Sequence, residues 1–381
     1  MKILYIIKSL AAKAGTERVI SDKMNWLAEN GHEVFLVTYE QGTHPFAYPL
    51  HKMIVHYDID TPFFRLGKCC VVKKIIMYYY FRVLFYERLQ SLVDKISPDF
   101  VISTTYAIQL FDIISNVKTK SKRLLESHVA FCKIKKNGSL KVNGLASMAL
   151  ELYDKKNLKY VRKFDGLISL TEEDAEKWAM YINKVFVIPN PITDIPTHIA
   201  SYNNQNRIIC VGRLHEQKGM DLLIEAFSLI SVECPKWHVD IFGEGSEELS
   251  LKKLVRKKHL EEQVYINSPT DRIYDEYMKS DFLVLSSRYE GFGLVLVEAM
   301  SCGLPCISFD CPYGPKDIIE DGVNGWLVDN GNVRQLAEKI LWMINNKERR
   351  MKMGEAARKS ALRYHKDIVM KKWISVFESM I

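Results

Sequence analysis

Short apolar runs alternate with amphipathic segments along the whole chain. Runs such as Ile3 to Ile7 and Phe282 to Leu285 are typical of buried strands, and segments with helical spacing of apolar residues lie between them. Strands that alternate with helices predict parallel sheets joined by right-handed crossovers. The fold class is therefore α/β. Two such series, separated by a proline-containing polar stretch near residues 192 to 206, predict two Rossmann-like, doubly wound domains facing a central cleft.

The same pattern sets the expected domain limits. We expect an N-terminal domain at residues 1–195 and a C-terminal domain at residues 196–365. The last helix, about residues 366–381, is expected to pack back on the N-terminal domain. Doubly wound domains bind ligands at the carboxyl ends of their strands, so the crevice between the two halves is the expected site.

The segment from Arg65 to Val93 is the most hydrophobic helical stretch. As a membrane span it would place Lys73, Lys74 and Arg82 inside the bilayer, at about 2.5–3.5 kcal/mol each near the centre. A span is therefore rejected. Two interpretations stay open: a helix packed inside the N-terminal domain, or a surface helix that touches lipid through its aromatic residues and basic ends.

Charge and cysteine content narrow the class of protein. The 53 Lys and Arg exceed the 46 Asp and Glu by 7, a bias compatible with anionic substrates or a membrane surface. Nucleic-acid binding is disfavoured, because no recognition motif accompanies the basic residues. The eight cysteines form no Cys-x-x-Cys pair, which indicates reduced thiols in a cytoplasmic protein. Cys302, Cys306 and Cys311 lack a fourth ligand at zinc spacing, so no metal site is expected.

A glycine-containing loop, Ser286 to Gly293, lies between a predicted strand and a predicted helix. Glycine lets a ligand approach the backbone, and the free N–H groups at a helix start favour an anion. Glu290 before the turn and Glu298 in the helix can face one cleft. An anion cradle with two carboxylates suits a phosphorylated sugar.

Several stretches together resemble glycosyltransferase family four, retaining enzymes of the GT-B architecture. In the second half they are VGRLHEQKG (Val211 to Gly219), FGEG (Phe242 to Gly245), SSRYEGFGLVLVEAMSCGLPCI (Ser286 to Ile307) and CPYGPKDIIEDGVNGWLV (Cys311 to Val328). The first half contributes AGTERV, LLESH ending at His128, and VIPNPI. The resemblance covers nearly the whole chain, and the combination is far more specific than any single motif.

The resemblance implies a role for each candidate site residue. Arg213 and Lys218, in the loop after a strand, would neutralise the departing diphosphate, a role that fixed cations can fill without a metal. Glu290 would contact the donor sugar near its reactive carbon, and His128 the transferred sugar. The expected nucleotide-sugar contacts are Gly15, Ser268, Phe292, Gly293, Leu294, Val295 and Glu298. Many relatives have two glycines in the first loop, whereas this chain has Ala14 before Gly15.

The implied function is a metal-independent, retaining hexosyltransferase without a cofactor. Its donor would be a nucleotide diphosphate sugar, preferably a UDP-sugar, and its acceptor a saccharide carried on a polyprenyl diphosphate, as in bacterial surface-polysaccharide synthesis. The expected location is the cytoplasm, with peripheral contact to the anionic inner face of the membrane. Two alternatives stay open: a nucleotide-sugar epimerase of the same fold, and a non-catalytic protein that binds sugar nucleotides.

Overall fold

The computed structural model describes residues 1–68, 70–134, 156–193, 195–197 and 205–381. They divide into two compact units, Met1–Pro191 with Val369–Ile381, and Ile192–Ile368. The first unit therefore ends at Pro191, where the sequence pattern suggested residue 195. The predicted linker near residues 192 to 206 lies partly outside the described residues.

The first unit is built on a parallel sheet of seven strands in the order β3-β2-β1-β4-β5-β6-β7. Its strands are β1 Lys2–Ile7, β2 Glu33–Thr38, β3 Val55–Asp58, β4 Phe100–Thr104, β5 Lys122–Glu126, β6 Gly166–Ser169 and β7 Val185–Val187. Four of the β1 residues after Lys2 are at most 1 % exposed, as expected for a strand covered on both faces.

Helices alternate with the strands of this sheet along the chain, as in a doubly wound fold. Those of the first part of the chain are α1 Gly15–Glu29, α2 Val71–Ile96, α3 Phe111–Ile114, α4 Phe131–Ile134 and α5 Glu172–Trp178. Further helical residues lie at 156–161, and 3₁₀ turns at Phe63–Lys68 and Thr105–Leu110. Thr171 caps α5, because its hydroxyl accepts a hydrogen bond from the Asp174 N–H at 3.2 Å.

Helix α2 is neither wholly buried nor wholly exposed. Its second half buries Phe85, Leu89, Val93 and Ile96 against the first unit. Its first half exposes apolar and aromatic side chains at positions Val72, Ile75, Ile76, Tyr79, Tyr80 and Val83. The second half of the segment is therefore packed inside the first unit, and its first half lies on the surface. Among the described residues, no helix combines the length and the apolar character that crossing a bilayer requires.

The second unit contains a parallel sheet of six strands in the order β10-β9-β8-β11-β12-β13. The strands are β8 Arg207–Val211, β9 His238–Phe242, β10 Val264–Asn267, β11 Phe282–Leu285, β12 Cys306–Asp310 and β13 Gly325–Asp329. The helices are α6 Met220–Ser228, α7 Glu248–Lys257, α8 Ile273–Met278, α9 Leu294–Ser301, α10 Pro315–Ile318, α11 Val333–Asn345 and α12 Lys347–Ala361. A 3₁₀ turn at Glu216–Lys218 precedes α6, and another at Leu362–Tyr364 follows α12.

The last helix, α13 Lys366–Glu378, belongs mainly to the first unit. Its buried residues Val369, Met370, Trp373 and Phe377 lie in one apolar cluster with β1 and β4 residues. The tilted rings of Phe100 and Phe377 have centroids 4.5 Å apart. The end of the chain thus completes the core that its first strand begins.

In each sheet the strand order reverses beside the first strand of the unit. Strand β1 lies between β2 and β4, and β8 lies between β9 and β11. Loops that leave two adjacent strands toward opposite faces open a crevice at the strands' carboxyl ends. The predicted two Rossmann-like sheets are confirmed, and the reversal in the second unit falls between the two loops that carry most candidate residues.

Candidate active site

An ion pair joins the two loops at the reversal in the second unit. Lys218, in the loop after β8, places its Nζ 2.6 Å from Oε1 of Glu290, in the loop after β11. The Ser287 hydroxyl donates a second hydrogen bond to that oxygen, also at 2.6 Å. Both charged side chains are largely buried, at 15 % and 6 % exposure. The sequence-predicted Lys218 and Glu290 are therefore neighbours.

The Glu290 backbone is fixed from the other side by the segment that follows β12. Its N–H donates to the Pro312 carbonyl at 2.7 Å, and its carbonyl accepts from the Tyr313 N–H at 3.0 Å. Gly314 has φ +109°, and a Cβ there would lie 2.1 Å from the Phe292 carbonyl oxygen. Three loops of this sheet therefore hold the carboxylate in place.

Arg288 strengthens the connection between the first two loops. Its guanidinium forms a bidentate pair with Asp221, with N–O distances of 2.9 and 2.7 Å, and also donates to the Glu216 carbonyl at 2.7 Å. Its backbone N–H donates to the Gln217 carbonyl at 2.8 Å. The hydrogen bonds that its guanidinium donates to Asp221 hold the pKa of Arg288 above its ordinary value. The bidentate geometry is the strong form of such pairs.

Two glycines permit the backbones of neighbouring loops to touch. Gly219 has φ +60°, and a Cβ built there would lie 2.0 Å from the Ser286 carbonyl oxygen. At Gly243, after β9, a Cβ would lie 1.9 Å from the carbonyl oxygen of Gly212. No side chain fits at either position without moving backbone. These two positions explain why the motifs around them contain glycine.

Arg213 lies in the same loop after β8 as Lys218. The residue is exposed, and its guanidinium has no hydrogen-bond or ion-pair partner in the described part of the chain. Its carbonyl accepts from the His215 N–H at 2.8 Å, which fixes the turn that carries it. To bind an anion, Lys218 must first leave the carboxylate of Glu290. Arg213 pairs with no carboxylate among the described residues, so it can bind an anion directly.

Helix α9 begins where the sequence predicted an anion cradle. Gly293 precedes its first residue with φ +92°, in the left-handed region that favours glycine. The first N–H groups of a helix have no partner within that helix, and they bear its positive dipole end. Phe292, Gly293, Leu294 and Val295 form this start, as predicted.

Glu298 lies one turn into α9 and is 6 % exposed. The Tyr277 hydroxyl of α8 donates to its Oε2 at 3.2 Å. Burial, and then the Glu298 charge, hold the pKa of Tyr277 well above its ordinary value, so this hydroxyl stays a donor. Tyr277 was not predicted from the sequence. A tyrosine in an apolar stretch is ordinarily core, and only the fold shows its carboxylate partner.

The two remaining predicted contacts, Ser268 and Gly15, lie in different units. Ser268 follows β10 directly and is exposed. Gly15 is the first residue of α1 in the other unit and is also exposed, and Ala14 before it provides no side-chain cap.

His128 follows β5, as predicted, but its imidazole is 1 % exposed and turned inward. Its Nε2 lies 3.1 Å from Oε1 of Glu126, and the same carboxylate forms an ion pair with Lys23 of α1. Burial first, and the Lys23 cation second, hold the pKa of His128 well below its ordinary value, whereas Glu17 opposes them. The ring is therefore neutral near pH 7. Lys23 and Glu126 were not singled out from the sequence, where they occupy ordinary helix and strand positions.

The three clustered cysteines are all buried. Burial raises the pKa of Cys302 to about 12 and holds those of Cys306 and Cys311 higher still. They pack as small apolar side chains. Among the described residues there is no group of three or more His, Cys, Asp or Glu placed to hold a metal ion.

Comparison with known proteins defines the class. Residues 192–360 match the profile of the family described as glycosyl transferases group 1. This match falls on the second unit, whose loops carry the Lys218 and Glu290 pair. The match and the two parallel sheets identify the chain as a glycosyltransferase of the GT-B fold, as its motifs predicted.

Relatives that extend over the whole chain agree with that assignment. An uncharacterized glycosyltransferase of Haemophilus influenzae is 28 % identical over 98 % of both chains. The amylovoran biosynthesis glycosyltransferase AmsD of Erwinia amylovora is 26 % identical, also over 98 % of both. Among solved structures, Anabaena HepE in complex with UDP and glucose superposes with a TM-score of 0.75 at 18 % identity, over 100 % of both chains.

Proposed function

We propose that this glycosyltransferase moves a sugar from a UDP-sugar to a hydroxyl of a saccharide acceptor, with retention of anomeric configuration and without a metal ion. The observation that carries the proposal is the Lys218 and Glu290 pair at the strand reversal of the second unit, 2.6 Å apart. Two further features support it: Arg213, which lies in the same loop as Lys218 and has no partner among the described residues, and the start of α9, which follows Glu290 in the chain.

The pair can change partners when a donor binds. A diphosphate that takes over the Lys218 ammonium leaves the Glu290 carboxylate without its cation. The released carboxylate is then available to a sugar hydroxyl or to the positive charge that develops at the anomeric carbon. Arg213 and Lys218 stabilise the negative charge that the departing diphosphate gains as the bond breaks. Each charge therefore lies where the transition state requires it.

The other residues hold the donor. Phe292, Gly293, Leu294 and Val295 offer main-chain N–H groups to phosphate, and Gly15 lets its loop approach the diphosphate. Glu298, oriented by Tyr277, accepts hydrogen bonds from ribose hydroxyls. Ser268 contacts the base, and His128 lies beside the transferred sugar. A UDP donor is supported by HepE, which was solved with UDP and glucose.

The acceptor belongs to cell-surface glycan synthesis in this proposal. AmsD, which is similar over 98 % of this chain, is named for the biosynthesis of amylovoran. A growing saccharide on a polyprenyl diphosphate at the cytoplasmic face of the membrane fits the excess of basic residues. The epimerase alternative finds no support in these relatives.

An exposed face of α2 provides the contact with that membrane. Residues Val72, Ile75, Ile76, Tyr79, Tyr80 and Val83 follow the spacing of one helical stripe, and each is more than half exposed. Lys73 and Lys74 beside the stripe are exposed as well. Aromatic and aliphatic side chains flanked by lysine suit the interface of an anionic bilayer.

Sedimentation with lipid vesicles tests the membrane contact. The protein should pellet with phosphatidylglycerol vesicles at low salt and bind phosphatidylcholine vesicles weakly. The triple variant Ile76→Ser, Tyr79→Ser, Tyr80→Ser should lose most of this binding. A matched variant with serine at Leu229, Val232 and Leu249, exposed apolar residues of the second unit, should retain it. Equal binding by both variants would exclude the exposed face of α2 as the membrane contact.

Donor binding and transfer are tested separately. In thermal-shift measurements, UDP-sugars should raise the melting temperature more than GDP- or ADP-sugars, since a ligand at 100 times its Kd adds about 2.7 kcal/mol. With a saccharide acceptor, NMR of the product should show the anomer of the donor. Donor incubated alone should show no epimer.

Variants then identify the residues that act. Arg213→Ala and Glu290→Gln should each lower kcat by roughly 100-fold, the size expected when a charge that stabilises the transition state is lost. Arg256→Ala removes an exposed arginine of α7 and should leave transfer unchanged. Unchanged transfer in Glu290→Gln would overturn the proposed role of the pair.

A further inference from the structure

A buried group of three ionisable side chains lies in the first unit. It consists of Lys23 on α1, Glu126 at the end of β5, and His128 two residues later. The side chains of Lys23, Glu126 and His128 are each 1 % exposed. Charged side chains are rarely buried to this degree unless they are paired, so the group calls for an explanation.

The Glu126 carboxylate is shared. Its Oε1 forms the ion pair with Lys23 and lies 3.1 Å from His128 Nε2. The Lys23 ammonium also lies 4.8 Å from the centroid of the Trp373 ring on α13, which favours a cation there. The main chain of His128 is held separately, because its N–H donates to the Thr105 hydroxyl at 3.2 Å.

The burial of His128 is uneven. The whole residue is 7 % exposed, whereas its side chain is 1 % exposed, so the accessible part is mainly backbone. The imidazole therefore points away from solvent and toward the shared carboxylate. A ring in this orientation cannot exchange protons with a substrate as a general acid or base.

We propose that Lys23 and Glu126 are positioning residues for His128: together they hold its ring inward in one orientation and keep it uncharged. This inference rests on the proposed placement of His128 beside the transferred sugar. A Lys23 cation opposes a proton on the ring, and Oε1 of Glu126, 3.1 Å from Nε2, favours the tautomer that bears its proton on Nε2. The buried His128 side chain then anchors the loop after β5, while the backbone of His128 remains accessible.

The charges around the ring predict an unusual pattern among variants. The groups that face it are Lys23 and Glu17 from α1 and Glu126 from β5. In Lys23→Met, the cation is lost and the carboxylates remain, so the His128 pKa should rise toward its ordinary value. In Glu126→Gln and in the double variant, the ring should stay neutral, because burial still opposes its charge.

Histidine side-chain NMR measures this directly and requires no activity. The chain has 10 histidines, and the His128 signals are identified by their loss in His128→Gln. The wild-type ring should show an Nε2–H tautomer and no titration between pH 5 and 8. A titration should appear only in Lys23→Met. Leu27→Ala, a buried apolar change one turn along α1, should lower the melting temperature without altering the tautomer or the titration.

Transfer assays connect the group to catalysis. Lys23→Met should lower kcat by roughly 10–100-fold, the effect of a small displacement in an active site, with a smaller change in KM for the donor. The loss should deepen as pH falls through the new His128 pKa. Lys23→Arg, which keeps the cation, should restore the wild-type NMR tautomer.

Two outcomes would overturn the proposal. One is a wild-type His128 that titrates near its ordinary pKa, and the other is a Lys23→Met variant in which the ring remains neutral. If the NMR pattern holds but the variants transfer sugar normally, the group positions His128 without serving the reaction, and the proposed placement of His128 at the sugar fails instead.

Discussion

Substitution of Gly219 by alanine tests how closely the two donor loops must approach. The residue has φ +60°, and an added Cβ would lie 2.0 Å from the Ser286 carbonyl oxygen. Real Cβ atoms essentially never approach within 3.0 Å, so the backbone must move by about 1 Å. That movement would carry the 3₁₀ turn with Lys218 away from Glu290.

The expected destabilisation has two parts. A left-handed conformation costs an alanine about 1–2 kcal/mol. Forcing extra atoms into a packed region adds about 1–3 kcal/mol. Gly331 offers a matched control: it has φ +81° but nothing within 4 Å of an added Cβ, so Gly331→Ala should show the first part alone.

Thermal unfolding separates the two parts. For a domain of 150–250 residues, 1 kcal/mol corresponds to about 2–4 °C in Tm, so Gly219→Ala should melt about 2–12 °C below Gly331→Ala. UDP-sugar binding should weaken in Gly219→Ala and remain normal in Gly331→Ala. Equal Tm values and equal affinities for the two variants would refute the close approach of the loops.

Three further experiments test other parts of the structure. Arg350→Met leaves the buried Asp281 carboxylate without the cation now 3.0 Å away, so urea unfolding should show a loss of about 3–5 kcal/mol. Iodoacetamide at pH 7.5 should label exposed Cys70 before buried Cys306 in mass spectrometry, because burial raises the Cys306 pKa and reduces its thiolate fraction. Thr171→Ala removes the cap of α5 and should lower the unfolding free energy by about 1 kcal/mol, whereas Thr171→Ser should retain most of it.

Much of the fold follows from local pattern. Buried parallel strands are short continuous apolar runs, and β1, β8 and β11 were evident for that reason. Strand β3 was missed, because Val55–Asp58 is only partly buried and contains two polar residues. An edge strand with this composition has no distinctive periodicity. Its pairing with β2 appears only once the sheet exists.

Parts of the site could be predicted where the type of a residue and its place relative to a strand or helix indicated the same role. A glycine before a helix, and charged residues in the loops that follow strands, placed Gly293, Lys218 and Glu290 in the correct loops. Contacts between distant segments were not predictable. The pairing of Arg288 with Asp221 joins residues 67 positions apart, and nothing in either local stretch indicates it.

His128 also shows that contacts between distant segments cannot be predicted from the local sequence. Its position after a strand was correct, but the direction of its ring depends on the carboxylate of Glu126 and on a lysine of α1. A residue's place in the chain determines which edge of the sheet it reaches. The neighbours that fold against it determine which way its side chain turns.

In the sequence, the second unit separates the two segments of the first unit. This separation affects the order in which the two units fold during synthesis. The ribosome releases Ile192–Ile368 as one continuous stretch, and the second unit can close its core once that stretch has emerged. The first unit must wait for Val369–Ile381, whose Trp373 and Phe377 fill the space beside β1 and β4. The first unit is therefore synthesised first but completes its core last. Until then its apolar surface stays exposed, and this is the surface to which a chaperone would bind.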